Sequence, residues 1–243
     1  KFIFAEDLME RLKGEKDSYA WSTKADSLCM MQFSSGTTGA PKSVMYKHNA
    51  ITAAAVVMKF GVGLDPEDVY FCPSSPAWGH GIWYGTISPL IFGKALGTYS
   101  GKFDPKRCLE ALEEWGVTVM AAISSHYRLI VDSGFCSQYK VKLKKITYTG
   151  EALTKSLVET IKKEWGLVPY GQYGTTEAGP ITLDYAGFDD WVVKPGSLGK
   201  PMIGGIKVAV LDEEGKEMPP GEIGEISLWR DGKWVRIGDS AYV

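Results

Sequence analysis

The sequence predicts an α/β protein: a mostly parallel sheet with helices on both faces, followed by a small antiparallel β subdomain. Short apolar runs alternate with helical patterns through the first three quarters of the chain. Connections of helix length between such runs favour parallel βαβ units. After about Gly187 the helical periodicity stops, and Gly, Pro and strand-like alternation take over. These observations divide the chain into 1–186, an α/β core, and 187–243, a β-rich subdomain.

The elements follow in order. Leu28–Phe33 reads as a buried strand, Ala50–Phe60 as a helix and Val69–Cys72 as a strand. Ile82–Phe92 has helical spacing, and Lys94–Tyr99 reads as a strand. Asp104-Pro105 supplies an N-cap and a first-turn proline for a helix ending near Trp115, where Gly116 stops it. Val117–Ala121 is the next strand, and Ser124-Ser125 open another helix. Lys145–Thr149 is a strand, Thr154–Trp165 a helix punctuated by Gly166, and Val168–Tyr173 the last strand of the series. Beyond it, Ile206–Leu211, Glu225–Trp229 and Lys233–Ile237 alternate as strands around the turn-rich stretch Asp212–Gly221.

Composition narrows the function. The 243 residues are 44% hydrophobic and carry 27 basic against 29 acidic side chains, a net charge of −2. Such a chain buries an ordinary core, and nothing in its balance marks a nucleic-acid groove. Cys29, Cys72, Cys108 and Cys136 form no CxxC pair, which fits reduced thiols and a cytoplasmic location. With His48, His80 and His126 they offer no ligand pair spaced for zinc. Val69–Gly93 carries no charged residue, yet Pro73, Pro76 and Pro89 and three glycines break it up. A membrane span could not satisfy its backbone across so many breakers, so this stretch is expected to form the wall of an apolar pocket.

The chemistry concentrates after the first strand. Ser34-Ser35-Gly36-Thr37-Thr38-Gly39 is followed by Ala40-Pro41-Lys42-Ser43-Val44. Glycines let the backbone close on an anion, hydroxyls and N–H groups donate to phosphate oxygens, and Lys42 adds a positive charge. The string is not the ordinary NTPase loop, because Pro41 stands where that nest needs a glycine N–H.

This segment resembles the signature loop of the adenylate-forming superfamily, which comprises acyl-CoA synthetases, luciferases and peptide-synthetase adenylation domains. Ser43 replaces the family's Gly after Pro-Lys. Tyr170–Gly179, YGQYGTTEAG, resembles the family's Tyr-Gly-x-Thr-Glu motif through Tyr173, Gly174, Thr175, Thr176 and Glu177. Tyr148–Leu153 resembles its Gly-Glu-Ala turn, and Arg236–Val243 its Thr-Gly-Asp motif with Ile237 in place of Thr.

The resemblance implies a role for each residue. Tyr173 would stack on adenine, with Gly150, Glu151 and Ala152 on the other side. Thr176 would hold the α-phosphate region, Glu177 would ligate Mg²⁺, Asp239 would grip the ribose, and Lys42, Thr176 and Glu177 would form the catalytic set. Aromatic stacking on a purine and oxygen ligation of Mg²⁺ by a carboxylate give these assignments physical sense.

On the acyl side the resemblance runs to the acyl-CoA synthetase branch. Trp78, His80 and Trp83 would line or gate the pocket, with Gly171 and Gly174 as its floor. The implied reaction joins a small-molecule carboxylic acid to ATP, releasing pyrophosphate, and then passes the acyl group to coenzyme A. Two alternatives stay open: an adenylation domain loading a carrier-protein thiol, and a nucleotide-binding module without catalysis. A homodimer also stays open. The family's C-terminal lid domain, with its adenylation lysine, has no counterpart before Val243, and the chain starts at Lys1 rather than Met. The expectation is therefore a central fragment, inactive alone.

Overall fold

A computed structural model describes residues 10, 12–14, 18, 20–34, 42–98, 101–194, 196–204 and 206–242. Its centre is a six-stranded sheet. Strands β3 (Tyr70–Phe71), β4 (Val119–Ile123), β5 (Lys145–Thr149) and β6 (Tyr170–Thr175) run parallel in chain order. Strands β7 (Gly179–Leu183) and β8 (Lys200–Pro201) extend the sheet antiparallel from β6.

The apolar run of β4, Val119-Met120-Ala121-Ala122, is buried on both faces, as a central parallel strand requires. Met120 and Ala122 pack with Leu109, Leu112, Tyr127, Ile130, Leu157 and Ile161. Those residues come from helices α4 (Pro105–Glu114), α5 (Ser124–Asp132) and α6 (Lys155–Trp165). Val119 and Ala121 point to the opposite face, against Met58, Val62 and Leu64 with Tyr84 and Phe92 alongside. That second layer is built by α1 (Ala50–Val56), continued by a π-helical turn Val57–Gly61, and by the run from α2 (Gly79–Ile82) through a second π-helical turn to α3 (Ser88–Ile91).

Local chemistry sets the boundaries. The Asp104 carboxylate accepts the Arg107 amide at 2.8 Å, and Pro105 occupies the first turn of α4. The Thr154 hydroxyl accepts the Leu157 amide at the start of α6, and Gly166 closes that helix at φ +71°, where a side chain would be strained. A separate antiparallel sheet joins β9 (Val208–Leu211), β10 (Gly224–Arg230) and β11 (Lys233–Ala241) in the order β11-β10-β9. No helix among the described residues is long and apolar enough to cross a membrane.

Two expectations are corrected. The strand expected to be buried, β1 (Leu28–Ser34), pairs with β2 (Lys42–Lys47) in a two-stranded antiparallel hairpin outside the main sheet. Leu28, Met31 and Phe33 are 53%, 54% and 70% exposed, because only one side of the hairpin meets the body of the molecule. The strand expected over Lys94–Tyr99 does not form at 94–98, which are irregular; Tyr99 lies outside the described residues.

Candidate functional site

The parallel strands end together. Ile123 ends β4 and Ser124 follows it, Thr149 ends β5 before Gly150 and Glu151, and Tyr173 to Thr175 end β6 before Thr176 and Glu177; all line one cleft of about 1210 Å³. Open α/β sheets bind ligands at this carboxyl edge. The volume exceeds the roughly 300–1,000 Å³ usual for one small ligand. The opposite walls come from the β1–β2 hairpin, from α1 and from the α2 segment.

Distant parts of the chain meet here through specific bonds. The Ser34 hydroxyl, last in β1, donates to Glu177 Oε1 at 2.8 Å. The Tyr46 hydroxyl on β2 donates to the Thr176 carbonyl. Burial, and then the neighbouring Glu177 charge, raise the Tyr46 pKa, so this donor keeps its proton at neutral pH. The Tyr46 ring meets Trp83 edge-on at 5.3 Å, and Trp83 Nε1 donates to Gln32 Oε1 at 3.2 Å. The hairpin is thereby fastened to the 175–178 turn on one side and to the α2 segment on the other.

Tyr173 ties the main sheet to the small one. Its hydroxyl donates to Asp239 Oδ2 at 2.5 Å, and burial first, then that carboxylate, raise its pKa well above the ordinary tyrosine value. Asp239 is placed from behind. Glu225 accepts Arg236 Nη1 and the Gly238 amide, both at 2.9 Å, which fixes β11 just before Asp239. Arg230 Nη2 adds a second tie, donating to the Ala178 carbonyl at 2.8 Å. Gly174 is required by space: a Cβ there would stand 2.4 Å from the Gly179 carbonyl oxygen on the neighbouring strand.

Gly150 and Glu151 stand on the wall beyond β5. The Ser124 hydroxyl donates to the Glu151 carbonyl, and Arg128 pairs with the Glu151 side chain at 3.6 Å. On the apolar side, Trp78 is 61% exposed, while His80 and Trp83 are partly buried wall residues. The Nδ1 atom of His80 is 2.8 Å from Ser74 Oγ, and the ring stacks on Tyr84 at 4.6 Å. Burial pushes the His80 pKa down to about 3, so the imidazole is neutral at physiological pH.

Other expected site residues sit elsewhere. Gly171, Ala152, Lys42 and Asp239 are not among the lining residues of the cleft. Gly171 is buried, donates its amide to Asp184 Oδ2 at 2.7 Å, and would point a Cβ at Leu198 and Tyr148. Lys42 is exposed at the start of β2, in register with Ser34. Ser35, Gly36, Thr37, Thr38 and Gly39 lie outside the described residues.

The sequence reading missed Gln32, Tyr46, Gln172, Ala53 and Ala54 of α1, and Val57 and Met58 of the π-helical turn after it, all lining the cleft. The alternation of Val44 and Tyr46 after the loop was the available signal for the second strand.

Comparison with known proteins identifies the family. A family model described as AMP-binding enzyme matches residues 4–235. The chain belongs to that family, the adenylate-forming enzymes, on its acyl-CoA synthetase branch. It is 28% identical to acetyl-coenzyme A synthetase of Bacillus subtilis, over 92% of this chain and 42% of that protein. It is 32% identical to the human mitochondrial acyl-coenzyme A synthetase ACSM3, over 91% of this chain and 38% of that protein. The crystal structure of a Brucella canis acyl-CoA synthetase superposes with a TM-score of 0.88 at 26% identity, covering 97% of this chain and 47% of that one. The chain thus spans about two fifths of the length of these curated relatives.

Proposed function

We propose that this chain forms the nucleotide- and acyl-binding core of an ATP-dependent carboxylic acid–CoA ligase that works through an acyl-adenylate. The observation carrying the reading is the bond between Ser34 and Glu177. It brings the start of the hydroxyl–glycine loop to the Tyr-Gly-x-Thr-Glu motif, 143 residues away, across one cleft. Residues 1–186 form the core in this reading and 187–243 the β-rich subdomain that presents Asp239. The acyl-CoA synthetase names of the relatives, and ATP bound in a Rhodopseudomonas palustris MatB of the same fold (TM-score 0.84, 22% identity, 98% of this chain and 50% of that one), are consistent with it.

The resemblance gives each residue a task. Ser34, the loop 35–39 and Lys42 receive the polyphosphate, and Thr176 the α-phosphate region. Tyr173 offers its ring to adenine, with Gly150, Glu151 and Ala152 opposite, while its hydroxyl holds Asp239 ready for the ribose. Gly174 and Thr175 keep this turn close to the nucleotide. Trp78, His80 and Trp83 shape the acid pocket, and Gly174 sets its depth. Adenylation then depends on orientation and charge neutralisation: the acid carboxylate is held in line with the α-phosphorus while pyrophosphate departs.

Glu177 fits the needs of Mg²⁺, which takes oxygen ligands from one or two carboxylates and from phosphates. Its carboxylate is exposed and accepts the Ser34 hydroxyl. No group of three or more His, Cys, Asp or Glu among the described residues is gathered for a metal. When bound, the ion supplies charge neutralisation on the phosphates.

The test is pyrophosphate release by the full-length protein with a panel of carboxylic acids, followed by an assay with coenzyme A. Release that requires an acid and ATP, with AMP formed on adding the thiol, is the expected result. Trp78→Ala should move the preference toward bulkier acids, and an unchanged profile removes Trp78 from the pocket. Transfer to a carrier-protein thiol in preference to coenzyme A would favour the adenylation-domain alternative. Nucleotide binding with no release for any acid would leave a non-catalytic module.

A further inference from the structure

One side chain at the meeting point of the cleft has no use in the reading above. Tyr46 lines the cleft from β2, and its hydroxyl donates to the Thr176 carbonyl, 130 residues further along the chain. It lies on the inward side of the hairpin. Along β1 and β2, Met30, Gln32, Ser34, Val44 and Tyr46 are partly buried, while the residues between them are exposed. Ser34, on the same side, donates to the Glu177 carboxylate at 2.8 Å. Two neighbouring residues of one turn are therefore gripped from one hairpin face, the first by its backbone and the second by its side chain.

The grip on the backbone has a defined consequence. The Thr176 carbonyl belongs to the planar peptide unit that leads into Glu177, so a donor on that oxygen fixes the plane from which Glu177 departs. On the far side of Glu177, Arg230 Nη2 donates to the Ala178 carbonyl at 2.8 Å. Inside the turn, the Thr175 hydroxyl accepts the Ala178 amide at 3.1 Å. The backbone on either side of Glu177 is thus clamped, once from the hairpin and once from the small sheet. Tyr46 is itself held, since its ring meets the edge of Trp83 and Trp83 is bonded to Gln32. Burial, and then the Glu177 charge, oppose its ionisation, which keeps the hydroxyl a donor through the neutral range.

We propose that Tyr46 is a positioning residue for adenylation, whose hydroxyl sets the orientation of Glu177 through the Thr176 peptide rather than acting on the reacting atoms. This rests on the acid–CoA ligase reading of the cleft. Groups that stabilise a transition state work where they are held in place beforehand, and a misplacement of about 1 Å can cost about a hundredfold in rate.

The experiment compares single-turnover, acid-dependent pyrophosphate release by full-length wild type, Tyr46→Phe, Glu177→Gln and the double variant. Tyr46→Phe keeps the ring on Trp83 and removes only the donor. It should lower the rate at saturating ATP and acid by about tenfold, with both half-saturating concentrations within about twofold of wild type. In the Glu177→Gln background the same substitution should cost less than about twofold, because the charge it positions is already gone. An equal loss in both backgrounds would mark a merely structural role and overturn the inference, and so would Tyr46→Phe at the wild-type rate. If Tyr46→Phe does not fold, as thermal melting would reveal, a ring-fluorinated tyrosine at position 46 decides. Its hydroxyl is kept but ionises more readily, so the rate should fall off at lower pH than in wild type, and coincident pH profiles would overturn the inference. No release by wild type with any acid would remove the ligase reading, and the inference with it.

Discussion

Glu177 illustrates how much a single side chain can carry. It is exposed, so its ionised form is well hydrated, yet the Ser34 hydroxyl orients one of its oxygens at 2.8 Å. Glu177→Gln keeps the shape and removes the charge, and should slow acid-dependent pyrophosphate release by about a hundredfold or more, as loss of a transition-state electrostatic group does. Single-turnover kinetics at saturating ATP would check this; a rate within about threefold of wild type would take Glu177 out of the catalytic set. Asp239 is predicted to act on binding instead. Asp239→Ala removes the acceptor of the Tyr173 hydroxyl, and should weaken nucleotide binding by about tenfold in calorimetry. The acid preference profile should stay as it is, because Asp239 acts through the Tyr173 hydroxyl, away from Trp78, His80 and Trp83.

Among the elements, the short strand β3 shows how a loop is fixed without much secondary structure of its own. The 63–68 segment before it is held by Lys145, whose side chain is 19% exposed at the start of β5. Lys145 Nζ donates to the Gly63 carbonyl and stands 3.0 Å from Asp65 and 3.6 Å from the buried Asp68. Asp68 in turn accepts the Thr118 hydroxyl at 2.8 Å and the Asp65 amide at 3.0 Å. Lys145→Met leaves Asp68 buried without its counter-charge, and should cost about 1–3 kcal/mol in urea unfolding.

The pH dependence follows from the same cluster. The hydrogen bond to Lys145 holds the Asp65 pKa below its ordinary 3.8, against the smaller opposing effect of burial. A lowered folded-state pKa contributes stability above the unfolded value, and that contribution is lost as pH falls through the folded one. Wild type should therefore lose this increment below about pH 4, and Lys145→Met should show a flatter acid limb there. Equal acid limbs in the two proteins would remove Asp65 from the account.

At the scale of the molecule, three separately built parts converge on the cleft. The parallel sheet supplies the turns after β4, β5 and β6, and the β1–β2 hairpin supplies Ser34 and Tyr46; the small sheet does not line the cleft but braces it through Asp239 on Tyr173 and Arg230 on Ala178. Among the described residues, four bonds tie these parts to one turn: Ser34–Glu177, Tyr46–Thr176, Tyr173–Asp239 and Arg230–Ala178. All four meet the stretch Tyr173–Ala178, so this turn is where changes in one part reach the others. Substitutions there are expected to alter nucleotide and acid kinetics together, whereas changes at Trp78 should act on the acid alone.

Much of this was legible in the chain itself, because local rules decide it. Asp104-Pro105 and Thr154 capped their helices where side-chain oxygens could meet free amides, Gly166 ended α6, and β5 fell at Lys145–Thr149 as its apolar run required. The ordered motifs identified the family. Pairing partners were not legible, since the same apolar run suits a buried strand or a half-exposed hairpin; the fold alone put Leu28–Ser34 against Lys42–Lys47 rather than into the main sheet. Nor could spacing reveal that Gln172 would end buried on the α1 side with its amide unmatched. Caps and hydrophobic periodicity are local properties of a polypeptide, whereas the partners that build the cleft, such as Ser34 and Glu177, lie over a hundred residues apart, and only packing brings those together.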